Sequence, residues 1–308
     1  MTLNTLISDF PSFAQRLNSL PTLGMGVSTE YGALSAPGSL DMMRLKEVLP
    51  ECAEVLEIGI ELAKGLDSES LAWVDEGGST TYHFLDINLH DPKDFDLPWL
   101  KGVTQIIERI KPAWLCGDAG LWHHGPRAQE HMLLLPPILS KDSAFALADG
   151  ILRLREETGL EVFPENPPGQ VFVGPLHILD FFALVLDRAD TGILLDAAHL
   201  TIYQTAMGLP VTAGLDGFPL DRIIELHMAG GTQKIAQGLS YIEDDHSPTI
   251  HPGTWEIFNE IAPSLTELRA VIFECERNPI EDCLEPLKIL RTALDEHLPR
   301  QSAWFRRC

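Results

Sequence analysis

The sequence predicts an α/β fold, a (β/α)8 TIM barrel built as a single domain. Short, β-branched-rich apolar runs occur eight times along the 308 residues, and segments with helical periodicity separate them. Eight strand–helix units over about 250 residues match the usual size of such a barrel. A doubly wound open sheet is the alternative, but "LGMG" at 23–26 lacks the third glycine of a dinucleotide-binding fingerprint.

The predicted strands are near-continuous apolar runs, which is typical of strands covered on both faces. In chain order they are "LGMGVS" (23–28), "EVLEIG" (54–59), "TYHFLDI" (81–87), "PAWLCGD" (112–118), "LEVFPEN" (160–166), "GILLDAA" (192–198), "IIELHMAG" (223–230) and "AVIFECE" (270–276).

Helical periodicity is clearest in "WLKGVTQIIERI" (99–110), whose apolar residues fall on one face. The helix predicted over "DSAFALADGILRLREETG" (142–159) has Asp142 or Ser143 as its N-cap and ends at Gly159. Two further helices are predicted over "PLHILDFFALVLDRA" (175–189) and "CLEPLKILRTALDEH" (283–297).

The remaining segments complete the predicted domain. Residues 1–20 are expected to cap the barrel, residues 21–300 to form it, and residues 301–308 to be a basic, aromatic tail. Long excursions are expected at 29–50, 66–80, 119–141 and 231–253, where the loops of a barrel build the active-site face.

Composition excludes some classes of function. The formal net charge of −23 repels phosphate backbones, so nucleic acid is not an expected partner. We expect neither a membrane span nor a secretory signal, because there is no apolar run of about 20 residues and no basic start followed by an apolar block. The odd number of scattered cysteines, with no CxxC pair, predicts reduced thiols in a cytoplasmic protein.

Acids and imidazoles follow or end most of the predicted strands. In a parallel barrel the carboxyl ends of all strands meet at one mouth, so these groups should converge there. His227 lies nearest the end of its strand and is expected to point inward, with Glu225 on the same face. The residues that collect in this way are His83, Asp118, Glu165, Asn166, Asp196, His199, Glu225, His227, Asp244, Asp245, His246, Glu274 and Glu276.

Each of these residues alone has an ordinary explanation, such as a hydrogen-bonded core histidine or the N-cap of the next helix. Together they would repel one another unless cations or protons neutralised them, and metal is the economical solution. Mixed imidazole and carboxylate ligands suit iron, manganese or zinc, and their number favours at least two ions. Zinc hydrolases, manganese isomerases and iron oxygenases all remain open on this ligand set.

The ordered series "TTYHF", "KPAWLCGDAGLW", "VFPENPP", "GILLDAAHLTIY", "IIELHMAGG", "DDHSPTIHPGTWEIF" and "VIFECE" resembles the multinuclear non-heme iron-dependent oxidative enzymes. That family includes the methanobactin maturation oxygenase and the enzyme that excises a cysteine β-carbon in 3-thiaglutamate biosynthesis. The resemblance covers roughly residues 22–295, and its Glu-Asn-Pro, Asp-x-x-His, His-x-Ala-Gly and Asp-x-His elements are jointly fairly specific.

The resemblance implies a barrel that holds two or three irons and uses O₂ to oxidise a ribosomally made precursor peptide, often at cysteine. It also implies a partner protein that binds the leader segment, and iron that coordinates the peptide's cysteine thiolate. Asp118 stays in register with the family pattern, and Glu276 and Asp245 are expected to be catalytic carboxylates. The implied metal ligands are His83, Glu165, Asp196, His199, His227, Asp244, His246 and Glu274, with Asn166 in or beside the ligand shell.

One element departs from the family pattern, because "GDAGLW" (117–122) has Ala119 where the family usually has a ligand histidine. The third iron is therefore expected to be weak or absent unless His90, His123 or His124 replaces that ligand. The alternatives are a zinc or manganese sugar isomerase, an endonuclease-like hydrolase with Glu276 as its base, and a redox-inactive homologue that binds a peptide or metal.

Overall fold

Eight parallel strands close into a barrel, which confirms the predicted fold class. A computed structural model describes residues 11–29, 38–127, 133–236 and 238–305. The barrel closes where the first strand pairs with the last, from Gly24 opposite Ala270 to Val27 opposite Phe273. The barrel strands are β1 (Gly24–Thr29), β2 (Val55–Ile60), β3 (Ser79–Phe84), β4 (Leu115–Asp118), β5 (Val162–Glu165), β6 (Ile193–Asp196), β7 (Ile223–Ala229) and β10 (Ala270–Glu274).

Helices cover the outside of the barrel, and their apolar faces form the main core with the outward side chains of the strands. None of the helices within the described ranges combines the length and apolar character needed to cross a membrane. The helices are α1 (Phe13–Arg16), α2 (Met42–Val48), α3 (Ser68–Asp75), α4 (Leu97–Ile110), α5 (Lys141–Thr158), α6 (Ile178–Ala189), α7 (Ala197–Met207), α8 (Pro252–Ile261) and α9 (Ile280–His297).

The start of α5 differs from the prediction. Ser140 is the N-cap, and its hydroxyl accepts a 3.3 Å hydrogen bond from the backbone N–H of Ser143. Asp142 and Ser143 lie inside the first turn, where an acidic residue interacts favourably with the helix dipole. The predicted end is confirmed, since Gly159 adopts the left-handed conformation with φ of 72°.

Two of the predicted excursions contain regular structure. Residues 66–80 include α3 and the start of β3, so they belong mainly to the outer helical layer and not to a loop. Residues 231–253 contain an antiparallel hairpin of β8 (Thr232–Ala236) and β9 (Leu239–Glu243). The chain leaves β9 directly into Asp244, so the hairpin places the next residues over the barrel mouth. Residues 30–37 and 128–132, in two other excursions, lie outside the described residues.

The lower interior of the barrel is apolar. Phe13 of α1 closes it from below, with its ring 6.3 Å from that of Phe163 in an edge-on arrangement. This apolar layer forms the floor beneath the polar side chains near the carboxyl ends of the strands. The layer consists of Phe13, Leu23, Val55, Trp114, Cys116, Phe163, Leu194, Ile224, Ala270 and Ile272.

Candidate metal centre

Polar side chains from six strands and two further segments meet at the barrel mouth, as the strand ends predicted. All of them are buried or nearly so, although their positions span most of the sequence. They are His83 in β3, Asp118 ending β4, Glu165 ending β5, Asp196 ending β6, His199 in the first turn of α7, His227 in β7, Asp244 and His246 after β9, and Glu274 ending β10.

Three carboxyl groups surround one nitrogen of His227, and we call these residues the central group. The His227 Nδ1 atom lies 3.3 Å from Glu165 Oε1 and 3.3 Å from Glu274 Oε1. Asp196 Oδ2 is 3.9 Å from the same nitrogen. Two sets of three ligand atoms in this region lie within 4.8 Å of one another, those of Glu57, His227 and Glu274 and those of Glu165, Asp196 and His199, which is close enough for each set to share a cation.

The outer group consists of His199, Asp244 and His246, and it lies beside the central group. His199 Nε2 is 3.3 Å from Asp244 Oδ2 and 3.5 Å from Asp196 Oδ2. His246 Nε2 is 3.7 Å from Asp244 Oδ1 and 3.9 Å from Glu274 Oε2. Asp196 and Glu274 therefore face both groups, and each could bridge two cations.

The third cluster, the His83 group, consists of His83, Asp118 and Glu165. His83 Nε2 lies 2.8 Å from Glu165 Oε2, so the two oxygens of Glu165 face two different imidazoles. Asp118 is paired with Glu165 across the neighbouring strands β4 and β5. This group offers three side chains to a cation, whereas the outer group offers five once the shared Asp196 and Glu274 are counted.

The three loop histidines that could replace the absent family histidine lie apart from the His83 group. Both ring nitrogens of His123 are engaged elsewhere, Nδ1 at 2.8 Å from the Gly125 carbonyl and Nε2 at 3.0 Å from Asp94 Oδ2. His90 and His124 are not among the described residues that line the cleft. Ala119 packs in the main apolar core. In this structure none of these three loop histidines is placed with the His83 group, and their role as a replacement ligand stays a prediction.

Asp196 combines a structural and a ligand-like position. It is the N-cap of α7, because its Oδ1 accepts a 2.6 Å hydrogen bond from the backbone N–H of His199. Its other oxygen, Oδ2, faces the central and outer groups. Asn166 fixes the backbone of Asp196, because its side chain forms 2.9 Å hydrogen bonds with both the N–H and the carbonyl oxygen of Asp196. Asn166 therefore supports the site and does not direct its side chain into it.

The imidazole of His199 is oriented by the backbone of Asn166. Its Nδ1 is 2.9 Å from the Asn166 carbonyl oxygen, which can only accept a hydrogen bond. The proton of a neutral ring is therefore on Nδ1, and Nε2 presents its lone pair to Asp244 and Asp196. A histidine held by such a backbone contact is typical of metal ligands.

Buried ligand atoms without hydrogen-bond partners indicate that these groups fit cations. Buried polar atoms are nearly always hydrogen-bonded, and a cluster of exceptions needs a physical reason. Cations bound in these groups would satisfy all of them. Among the described residues these atoms are Asp118 Oδ1, Glu165 Oε1, Asp196 Oδ2, His199 Nε2, His227 Nδ1, Asp244 Oδ1 and Glu274 Oε2.

The surrounding carboxyl groups favour protonated imidazoles when no cation is bound. Burial lowers the pKa of His83, but Glu57 and Glu165 outweigh it and raise this pKa to about 9. The same balance between burial and nearby carboxylates raises the pKa well above its usual value in His199, His227 and His246. A cation that binds here must therefore displace protons.

The carboxyl groups divide into two classes. Burial, followed by repulsion from Glu165 or Glu274, raises the pKa of Asp118 and Asp196 well above the usual range. Burial would raise the pKa of Asp244 too, but the neighbouring histidines outweigh it and hold this pKa well below its usual value. Crowded acids whose pKa values separate in this way are common at functional sites.

The two carboxylates predicted to be catalytic lie in different environments. Glu276 lines the cleft, and its Oε1 is 2.6 Å from His246 Nδ1 while Oε2 accepts a 3.2 Å bond from the Ser28 hydroxyl. Asp245 is turned outward, where it accepts hydrogen bonds from the Thr232 hydroxyl and the Ser247 N–H. Asp245 is thus not brought into the cluster.

Glu57 is the member of the site that the strand-end reasoning missed. It lies in the middle of β2, is 2% exposed, and its Oε2 is 3.2 Å from His227 Nε2. Glu225 shares the inward face of β7 with His227, as expected, and accepts a 2.6 Å hydrogen bond from Trp114 Nε1. Burial and Glu57 raise the pKa of Glu225 to about 8, so it is mostly protonated at neutral pH.

A cleft of about 170 Å³ opens above these groups. Its lining combines the acids and imidazoles with the apolar side chains of Leu85, Trp122 and Leu134. The volume accommodates one or two amino-acid side chains, and the apolar wall limits the access of water to the polar one.

Comparison with known proteins places this geometry in a family. A family model for RiPP precursor modification enzymes, MbnB/TglH/ChrH, matches residues 44–293. A UPF0276 protein of Rhizorhabdus wittichii is 22% identical over 258 residues, which cover 82% of this chain and 90% of that protein. A UPF0276 protein of Bordetella pertussis is 27% identical over 214 residues, which cover 68% of this chain and 72% of the relative.

Solved structures with the same fold include metal-bound proteins. A xylose isomerase-like TIM barrel protein from Mycobacterium smegmatis in complex with magnesium aligns with a TM-score of 0.58 and 10% identity, over 92% of this chain and 99% of that one. The IolI protein with a bound zinc atom aligns with a TM-score of 0.52 and 16% identity, over 89% of this chain and 99% of that one. At these identities the likeness establishes the TIM-barrel fold alone.

Proposed function

Because the chain belongs to the RiPP precursor modification enzymes of the MbnB/TglH/ChrH family, which act on ribosomally synthesised precursor peptides, we propose that it oxidises such a peptide at a cysteine with iron and O₂. The observation that carries the proposal is the set of buried, unpartnered ligand atoms at the barrel mouth. Those atoms belong to adjacent groups that share carboxylates, and this arrangement favours more than one metal ion.

The central group and the outer group are the proposed positions of two irons. Mixed imidazole and carboxylate ligands without thiolate are compatible with non-heme iron. The His83 group would hold a third ion more weakly, because fewer side chains converge on it. When bound, iron supplies the electron transfer and the activation of O₂ that amino-acid side chains cannot provide.

The protein's own residues have three proposed tasks in the reaction. The shared carboxylates Glu165, Asp196 and Glu274 hold neighbouring cations at short separation. Leu85, Trp122 and Leu134 exclude water from the side of the cleft that receives the peptide. Glu276 orients His246 and is placed to accept a proton at its Oε1 atom.

We also propose that a partner protein binds the leader segment of the precursor. The cleft holds only one or two side chains, so most of a precursor peptide must be bound outside it. A separate leader-binding surface would raise the local concentration of the residue to be modified.

The test is anaerobic loading of the purified protein with Fe²⁺, followed by addition of O₂ and short cysteine-containing peptides encoded by neighbouring reading frames. We expect O₂ consumption and a discrete change in peptide mass. Protein loaded with Zn²⁺ is the matched control and should leave the peptide unchanged.

Two results would contradict the proposal. Iron-loaded protein that leaves every neighbouring peptide unmodified, with the adjacent leader-binding protein present, would remove the oxidative function. Protein that retains zinc or manganese but no iron when purified would favour the divalent-metal isomerase or hydrolase instead.

A further inference from the structure

His227 is an imidazole with a carboxyl group facing each ring nitrogen. Its Nε2 atom lies 3.2 Å from Glu57 Oε2, and its Nδ1 atom lies 3.3 Å from both Glu165 and Glu274. A neutral imidazole has one N–H, and only the other nitrogen can bind a cation. Which nitrogen holds the proton therefore decides whether His227 can be a ligand of the central group.

The two nitrogens are not in equivalent surroundings. Nδ1 is buried and has no hydrogen-bond partner among the described residues, and the carboxylates around it are the ones that face the proposed cation. Nε2 has one hydrogen-bond partner among the described residues, Glu57. Ligand atoms of Glu57, His227 and Glu274 lie within 4.8 Å of one another, so Glu57 is close enough to affect the central group through the ring. We propose that Glu57 is a positioning residue, which accepts the Nε2 proton of His227 and so directs the Nδ1 lone pair into the central group.

Glu57 is itself held in place from below. The Cys116 thiol donates to the same oxygen, Glu57 Oε2, at 3.3 Å. The backbone of Glu57 is fixed between β1 and β3, because it is paired with Ser28 on one side and Thr81 on the other. A side chain held by both backbone and thiol can impose an orientation on the ring above it.

A carboxylate acceptor also makes the ligand stronger. Hydrogen bonding of the distal N–H to a carboxylate raises the basicity of the ligating nitrogen, and loss of such partners typically weakens metal binding by about 10–100-fold. Glu57→Gln keeps the size of the side chain, but its amide accepts a hydrogen bond more weakly than a carboxylate does and can rotate to present N–H groups.

The matched control is Glu225→Gln. Glu225 is as buried as Glu57 and lies in the same barrel interior, but it accepts its hydrogen bond from Trp114 and not from His227. Because Glu225 is mostly protonated at neutral pH, its replacement by Gln changes little charge. A general effect of substituting a buried acid would appear in both variants, whereas loss of ring positioning would appear only in Glu57→Gln.

This inference rests on the proposed metal centre, and the experiment separates the two. The metal-free wild type and both variants are titrated with Co²⁺ in competition with a chelator, and the visible ligand-field spectrum is recorded. We expect Glu57→Gln to bind its tightest Co²⁺ about 10–100-fold more weakly, with an altered spectrum. Glu225→Gln should retain the wild-type affinity and spectrum. If Glu57→Gln does not fold, Glu57→Asp, which withdraws the acceptor by one methylene, is judged by the same criteria.

The outcomes are distinguishable. A wild type that binds no Co²⁺ would overturn the metal centre together with the role of Glu57. A variant at Glu57 that matches wild type in affinity and spectrum would overturn the positioning role and leave the metal centre intact. Complete loss of one Co²⁺ equivalent would also overturn it, since Glu57 would then be a ligand.

Discussion

Glu165 faces two metal-binding groups, so Glu165→Gln should remove the ion of the central group together with any ion held by the His83 group. Its Oε1 lies 3.3 Å from His227 Nδ1 and its Oε2 lies 2.8 Å from His83 Nε2. The amide of Gln keeps the volume, but it removes the charge and replaces one oxygen by an NH₂ that cannot bind a cation. We expect loss of the ions at the central group and the His83 group, with the outer group retained.

The size of the effect follows from linkage between binding and unfolding. An ion present at a hundred times its Kd stabilises the folded state by about 2.7 kcal/mol per site, so two sites contribute about 5 kcal/mol. For a chain of 308 residues, an unfolding entropy of about 2.1 cal/mol/K per residue sums to about 0.65 kcal/mol/K. The Tm of the wild type should therefore rise by about 8 °C with metal, and that of Glu165→Gln by about 4 °C.

Differential scanning calorimetry with and without anaerobic Fe²⁺, together with elemental analysis, measures both quantities. Asp244→Asn is the control, because Asp244 contacts only the outer group, and it should keep the central ion. The double variant should show almost no rise in Tm with metal. A full rise of about 8 °C and an unchanged metal count in Glu165→Gln would refute the assignment of Glu165 to the central group.

Three further predictions test other parts of the structure. Because the pKa of His83 is raised to about 9, this imidazole is protonated at pH 7 without metal. Metal binding should therefore release protons, and the number released should decrease as pH rises through about 9. Calorimetry in buffers of different ionisation enthalpy measures the proton release, and a release that does not change with pH would contradict the raised pKa. Asp245→Asn should keep the full number of metal ions by elemental analysis, since the Asp245 carboxylate accepts hydrogen bonds from Thr232 and Ser247 outside the cluster. Loss of an ion would show that the loop rearranges when metal binds. Phe13→Ala should lower the free energy of unfolding by about 3–5 kcal/mol in guanidinium titrations, because the Phe13 ring is 2% exposed in the floor of the barrel. The metal count should not change. A loss of less than about 1 kcal/mol would mean that α1 contributes little to the core.

The barrel and most of the metal-binding side chains could be predicted because both depend on short-range patterns. Strands covered on both faces must be apolar along their whole length, so an acid or imidazole that ends such a run is conspicuous. Asp118, Glu165 and Asp196 each occupy the last position of a strand. Parallel closure then brings these ends together without any knowledge of the side-chain contacts.

Glu57 was missed for a physical reason. It lies three residues before the end of β2, and alternation along a strand shows which residues share a face but not which face points inward. The inward direction is set by Leu56 and Ile58, which pack in the outer core, and this is known only once the helices are in place. A charged residue within an otherwise apolar run was the available signal.

The sequence pattern also could not show which residues of the loop after β9 face the cleft and which face outward. Asp244 and His246 face the cleft, whereas Asp245 faces outward and bonds Thr232 of the hairpin. The turn at His246 has φ of 50°, a left-handed conformation that few side chains adopt readily. Glu276 and Asn278 hold this residue, the first through its ring and the second through its carbonyl oxygen. These contacts join segments about 30 residues apart, so no local sequence rule predicts them.

The arrangement of apolar residues below polar ones along the barrel axis explains how so acidic a site can be part of a stable fold. A buried carboxylate costs several kcal/mol unless opposite charge or hydrogen bonds compensate it. Below the site, the aromatic floor around Phe13 and Trp114 supplies burial, and Glu225 avoids the cost by remaining protonated at neutral pH. Above it, carboxyl groups outnumber imidazoles, and without metal the raised pKa values of Asp118 and Asp196 favour neutral carboxyl groups there. Metal ions would take the place of those protons, and the resulting dependence of stability on metal is the physical link between this fold and its proposed chemistry.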